Sequence, residues 1–388
     1  MMTSRERLLA ALERKIPDRL PATTHHVMPS FLDKYMDGAG SLEFFDRFDL
    51  DAITWTVPHR PDPEAGEYYD PCQGKPGFLE SRRISTDNWR VEWEEIPHPE
   101  FKTTRYRFVT PKGTLSMVIQ ADRHTAWVSE KLIKEKSDID LIAGYATAPK
   151  CDVEGVNRVA GKFGERGILR GHICCFDVFG QPGTWQDACC LAGTQRLIME
   201  TFDDPAWVHE LLKILQRRKK IFAASLAGAR YDILELGGGS ASSTVISPDI
   251  FERFVAPYDS EIIALAHQAG QRIVYHICGG IMPLLENLAA MKPDAIETFT
   301  PPSMGADTDL KEAKRKVGDK VCMIGGFDQG HYFKGCQPGE TRREVRRCFD
   351  EAGEGGGYIL CPSDHFFDAD LPLLEAYADE AKACRYST

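Results

Sequence analysis

Gln271-Arg272-Ile273-Val274-Tyr275-His276-Ile277-Cys278-Gly279-Gly280 is a short apolar run rich in β-branched residues that stops at two glycines. That is the pattern of a buried strand followed by a tight turn. Alternate residues of a strand point to one side, so His276 and Cys278 arrive together at its tip. A second run, Gly357-Tyr358-Ile359-Leu360-Cys361-Pro362, ends in the same way and delivers Cys361. One histidine nitrogen and two thiolates suit zinc, and three protein ligands leave a fourth coordination position open for chemistry. A histidine near a cysteine is also ordinary packing, and buried thiols are common core residues. What lifts this set above packing is its placement, at strand tips.

Outward from these runs, strands are predicted at 19–25, 52–57, 167–178, 231–236, 271–277, 295–300, 321–327 and 357–361. Helices are predicted at 4–15, 205–229, 248–270, 281–291, 309–317, 341–352 and 373–384. Ser247-Pro248 and Asp204-Pro205 each place a capping side chain before an N1 proline. Strands separated by helices predict a parallel sheet, and about eight of them predict an α/β (β/α)8 TIM barrel with its active site at the strand C-termini. The expectation is one barrel domain over residues 1–388. One stretch, 59–128, breaks the alternation. Its aromatics (Tyr68, Tyr69, Phe78, Trp89, Trp93, Tyr106, Phe108, Trp127) and alternating pieces such as Arg90-Val91-Glu92-Trp93 predict an inserted antiparallel β-hairpin region, either a lid or a purely structural insertion.

The chain has 388 residues, 43% of them hydrophobic, enough for a large core. A formal net charge of −11 without a basic cluster argues against nucleic-acid binding. The densest basic stretch, Arg217-Arg218-Lys219-Lys220, reads as a solvated helix face. No apolar run approaches the ~20 residues that cross a bilayer, and the amphipathic N-terminal stretch lacks a signal-peptide core. The 12 cysteines form no short-domain framework, so free thiols or metal ligands in a reducing cytoplasm are expected.

Other candidates lie at predicted strand ends. Glu235, before Gly237-Gly238-Gly239, suits a substrate contact, a general acid or a fourth metal ligand; it equally suits capping a turn. Glu297 is a second candidate ligand. Tyr275, His172, Asp328 and Asp364 are candidate substrate-binding residues, and the two aspartates also suit capping the helices that follow. His25 and His26 are further pocket candidates. Cys174-Cys175 and Cys189-Cys190 read as packing, because adjacent strand residues face opposite sides.

The chain resembles the uroporphyrinogen decarboxylase superfamily, in particular its zinc-dependent, corrinoid-linked methyltransferase branch. The resemblance covers most of the length. It runs from Ser4-Arg5-Glu6-Arg7-Leu8-Leu9-Ala10-Ala11-Leu12 and Pro17-Asp18-Arg19-Leu20-Pro21, through Ile246-Ser247-Pro248-Asp249-Ile250-Phe251 and Val255-Ala256-Pro257-Tyr258, to Gly325-Gly326-Phe327-Asp328 and Gly355-Gly356-Gly357-Tyr358. Decarboxylases carry an arginine-rich segment after the first strand; this chain has Ala22-Thr23-Thr24-His25-His26 there. The methyltransferase branch uses His-x-Cys and a later Cys as zinc ligands, which His276, Cys278 and Cys361 match. The resemblance therefore implies an enzyme that moves a methyl group from a small methylated substrate to the Co(I) corrinoid of a partner protein. An aryl methyl ether (O-demethylation) is the first expectation. Alternatives are transfer from a methylcorrinoid to a thiol or pterin, and a uroporphyrinogen decarboxylase-type lyase. No cobalamin-binding signature is visible, so the corrinoid is expected on a separate corrinoid protein. A cytoplasmic location without nucleic-acid or membrane partners is expected, and a homodimer is one assembly the sequence leaves open.

Overall fold

The computed structural model describes residues 2–77 and 79–386; Phe78, one of the aromatics of the inserted region, lies outside them, as do Met1, Ser387 and Thr388. Seven parallel strands form one curled sheet in the order Ala52–Trp55, Gly167–His172, Ile233–Gly237, Ile273–His276, Ala295–Thr298, Cys322–Phe327 and Tyr358–Pro362. Nearly every residue of the last five is buried, because helices cover the outside and side chains fill the inside. That double burial is why these strands read as continuous apolar runs.

The eighth predicted strand, 19–25, is reduced to a splice. Ala22 makes a parallel bridge to Leu360, Thr23 N donates to Leu360 O, Leu360 N donates to Pro21 O, and Asp51 N donates to Ala22 O. These bonds tie the last strand to the first and close the ring. It stays short because Pro21 has no donor, and Ala22 N is taken by the Asp51 carboxylate at 3.0 Å.

The helices carry the expected caps. Ser247 Oγ accepts from Ile250 N ahead of Pro248, and the Asp204 carboxylate accepts from Trp207 N ahead of Pro205. Short helices at Pro29–Tyr35, Ser41–Phe48, Asp138–Tyr145, Val153–Phe163, Thr184–Ala192 and Thr194–Asp203 were not predicted. Cys189 and Cys190 lie on one of these helices rather than on a strand, and both are buried.

The inserted region contains an antiparallel four-stranded meander, Arg90–Ile96, Lys102–Thr110, Gly113–Ala121 and Ala126–Glu130. Its inner face (Val91, Phe108, Leu115, Met117, Val128) joins the barrel core through Trp89 and Phe176. Between the meander, residues 72–77 and 79–83, and the 172–180 segment lies a cavity of about 590 Å³.

The basic stretch on the Pro205–Ala224 helix is a solvated face only at Arg217 and Lys220. Arg218 and Lys219 are buried, Arg218 on Asp177 at 2.9 Å and Lys219 on Asp187 at 2.7 Å. The charges lie in the same helical stripe as Leu211, Leu215 and Phe222, so packing carries them inward with their partners. No helix among the described residues is long and apolar enough to cross a membrane.

Candidate active site

Four neighbouring strands and the segment after the splice bring five ionisable side chains to one end of the barrel. Arg170 comes from Gly167–His172, Glu235 from Ile233–Gly237, His276 from Ile273–His276 and Glu297 from Ala295–Thr298. The register aligns His172 with Glu235 and His276 with Glu297. His25 arrives from the other side of the ring. One ligand atom each from His25, Glu235, His276 and Glu297 lies within 4.8 Å of the others, which makes the group a candidate metal centre.

Arg170 organises the cluster. Its guanidinium donates to both Glu297 oxygens, at 2.9 and 2.7 Å, and to Glu235 at 3.0 Å, while its flat face lies 4.4 Å from the Trp55 ring. His25 Nε2 reaches Glu235 at 2.9 Å and Glu297 at 3.2 Å. His276 Nδ1 lies 3.0 Å from Glu297 Oε1, and an ionised carboxylate can only accept there.

The electrostatics follow from this packing. Burial alone would lift Glu235, but His276 and His25 draw its pKa down to about 2. Glu297 is held well below the carboxylate range against burial by Arg170 and His25. Burial alone would lower the histidines, yet the two glutamates raise His25, and Glu235, Cys278 and Glu297 carry His276 well above its ordinary value. Burial, with Glu297 nearby, pushes the Cys361 thiol up.

This pattern sets a pH dependence for the metal-free protein. The carboxylates are depressed below 4.5, so their stabilisation is complete above pH 4.5 and is lost as pH falls toward 2. The histidines are raised above 6.5, so theirs is complete below pH 6.5 and is lost as pH rises through the folded-state values. The cluster's own contribution should therefore be largest between about pH 4.5 and 6.5, read in the presence of chelator as the difference in thermal midpoint between the wild type and Glu297→Gln. A difference that climbs steadily from pH 5 to 8 would contradict this assignment.

Zinc is the group the resemblance implies, and the residues fit it. Glu297 fixes His276 through Nδ1, the arrangement in which a carboxylate orients an imidazole for a metal on its other nitrogen. The Cys278 thiol is a hydrogen-bonding neighbour of the same ring. Its sulfur lies 2.6 Å from where a Cβ on Gly239 would stand, so only glycine leaves room for it. His25 Nδ1 is buried with no hydrogen-bond partner among the described residues. Cys361, buried at its strand end, interacts electrostatically with Glu297 and Arg170 and accepts from the His25 backbone. The predicted thiol ligands thus border the cluster, while the tightest donor set is His25, Glu235, His276 and Glu297.

The other predicted residues divide. Asp364 lies against His365 and interacts with His276, which with burial opposing leaves its pKa at about 2. Asp328 is buried as a cap, accepting from His331 N at 3.0 Å and from Ser303 Oγ at 2.5 Å. Tyr275 is fully buried with its hydroxyl on Asp259 at 2.9 Å, on the opposite side of the strand from His276. His172 lines the large cavity, and its Nε2 lies 3.3 Å from Leu79 O. Sequence reasoning missed Arg170, although a lone arginine inside Gly167-Ile168-Leu169-Arg170-Gly171 was a signal: a charge in a doubly buried strand needs partners.

The family model of uroporphyrinogen decarboxylase (URO-D) matches residues 180–367, a span that holds Glu235, His276, Cys278, Glu297 and Cys361. The uroporphyrinogen decarboxylase of Pseudomonas entomophila (strain L48) is 25% identical over 204 residues, covering 50% of this chain and 53% of that protein. That of Thioalkalivibrio sulfidiphilus (strain HL-EbGR7) is 26% identical over 202 residues, covering 50% and 54%. The chain spans about half the length of the curated relatives it matches. A solved methyltransferase from Methanosarcina mazei superposes with a TM-score of 0.59 over 99% of both chains at 17% identity, a likeness of fold. The family model thus matches just under half of the chain, and the likeness to the solved methyltransferase is one of fold.

Proposed function

We propose that this protein is a zinc-dependent methyltransferase that moves a methyl group from a small methylated substrate, an aryl methyl ether in the first instance, to the Co(I) corrinoid of a partner protein. The observation that carries this reading is the Arg170–Glu297–His276 chain, which holds His276 beside Cys278 in the arrangement of a metal-binding histidine. When bound, zinc held by His276, Cys278 and Cys361, with Glu235 available as a further oxygen ligand, would act as a Lewis acid on the heteroatom that carries the methyl group.

The chain's own residues supply the rest. Arg170 and Glu297 fix the His276 ring. Glu235, with a pKa near 2, is ionised near neutrality and so suits a ligand or substrate contact better than a general acid. The proton that a departing oxygen requires is better held at His25 Nε2, on the Glu235 side of the cluster. The methyl leaves without its bonding electrons, which stay on the oxygen and take up that proton.

The family match and the curated relatives favour a second reading, a decarboxylase-type lyase. A substrate with several carboxylates needs free cations, however, and Arg170 is already bound to two glutamates. Transfer from a methylcorrinoid to a thiol acceptor would use the same residues in the opposite direction. Metal analysis decides between the first two. Protein purified without chelator should hold about one zinc per chain, and His276→Ala or Cys361→Ser should lower that content severalfold. Zinc-free, well-folded wild-type protein would sink the methyltransferase reading. Optical conversion of cob(I)alamin to methylcobalamin, screened across methoxyaromatics, methylamines and methanol, tests the chemistry.

A further inference from the structure

The cavity of about 590 Å³ is large enough for a small aromatic molecule, and one of its wall residues, His172, is the register neighbour of Glu235 in the cluster. Trp93 and Tyr106 from the meander and Phe176 from the barrel side give it aromatic walls. Its charges are unevenly matched. Arg83 is held by Asp70 at 2.5 Å, Lys102 faces Glu95 at 3.8 Å, and Asp177 is held by Arg218. Arg82 and Lys75 have no carboxylate partner among the described residues, and the unmatched acid lining the cavity is Glu80. The Arg82 guanidinium lies 3.5 Å from the Tyr69 ring centroid, so stacking orients its donors without neutralising its charge. A flat, oriented guanidinium is a carboxylate receptor.

We infer that this cavity is the substrate pocket and that it takes an aromatic carboxylate, the ring between Trp93, Tyr106 and Phe176 and the carboxylate on Arg82. Arg82 is then a specificity-determining residue that selects anionic over neutral aromatics. Its place as the substrate pocket rests on the proposed function; its capacity to bind an aromatic carboxylate does not.

Isothermal titration of the full chain with 4-methoxybenzoate and with neutral 4-methoxybenzamide tests the inference. The acid should bind at least about tenfold more tightly than the amide. Arg82→Gln, an exposed change that leaves the core untouched, should remove that preference by weakening the acid alone. Trp93→Ala should weaken both ligands. Equal binding of acid and amide, an Arg82→Gln variant that keeps the preference, or no binding of either ligand would overturn it. Binding that passes these tests without methylcobalamin formation from the acid would leave the pocket standing and count against the proposed reaction instead.

Discussion

Replacing Arg170 by methionine should destabilise the protein by about 3–5 kcal/mol, the cost of removing one partner from a buried ion group. The guanidinium is fully buried, and Glu297 and Glu235 both rest on it at 3.0 Å or less. Methionine matches much of its volume and none of its donors, leaving only His25 and His276 to offset two buried carboxylates. They would have to take up protons or draw in water, and either response loosens the hold of Glu297 on His276. The fall in thermal midpoint should come with weaker zinc retention, about 10–100-fold, the usual cost of losing a carboxylate–histidine orientation. The double variant Arg170→Met with Glu297→Gln should recover part of the stability, because it removes a charge along with its partner. An Arg170→Met protein that melts like the wild type would show that other groups balance the glutamates.

Lys219→Met should give the second large loss, again about 3–5 kcal/mol, for a related reason with a different consequence. Lys219 and Asp187 are both about 1% exposed and 2.7 Å apart. The ammonium also donates to Cys174 O and Gln181 O, and Asp187 accepts from Phe176 N and Gln181 N. This one pair therefore pins both ends of the 174–181 segment that walls the large cavity. Its loss should appear twice, as a lower denaturation midpoint and as weaker binding of any ligand in that cavity. Loss of stability with cavity binding unchanged would show that the segment holds its shape without the pair.

Much of the barrel is legible in the sequence because parallel strands are buried on both faces and leave unbroken apolar runs. The strand at 295–298 and those ending at His276 and Cys361 appear nearly where predicted. The eighth strand misleads because an apolar Leu20-Pro21-Ala22 stretch carries the right composition, while Pro21 and the Asp51 carboxylate take away the donors a ladder needs. The short helices at 29–35 and 41–48 span about two turns each, too short for periodicity to declare itself. In the site, His276 and Glu235 are readable from their strand tips. Arg170 and Lys219 are not, since sequence shows a charge but not the partner that makes its burial tolerable. In both cases the neighbouring apolar residues held the clue: a charge lying in the buried stripe must be matched from elsewhere in the fold.

The splice that closes the barrel also imposes an order on the protein's making. Thr23 meets its partners only when the far end of the chain exists: the Tyr377 hydroxyl that donates to Thr23 O is 354 residues away. At the ribosome's pace of about 5–20 residues per second, the segment at 21–23 waits roughly 20–70 s for that partner. During that interval the growing sheet has two raw edges, with Ala52–Trp55 at one of them exposing unpaired backbone. The ring is thus a seam sewn last, and synthesis, rather than the finished molecule, is when this protein is most open to pairing with the wrong strand.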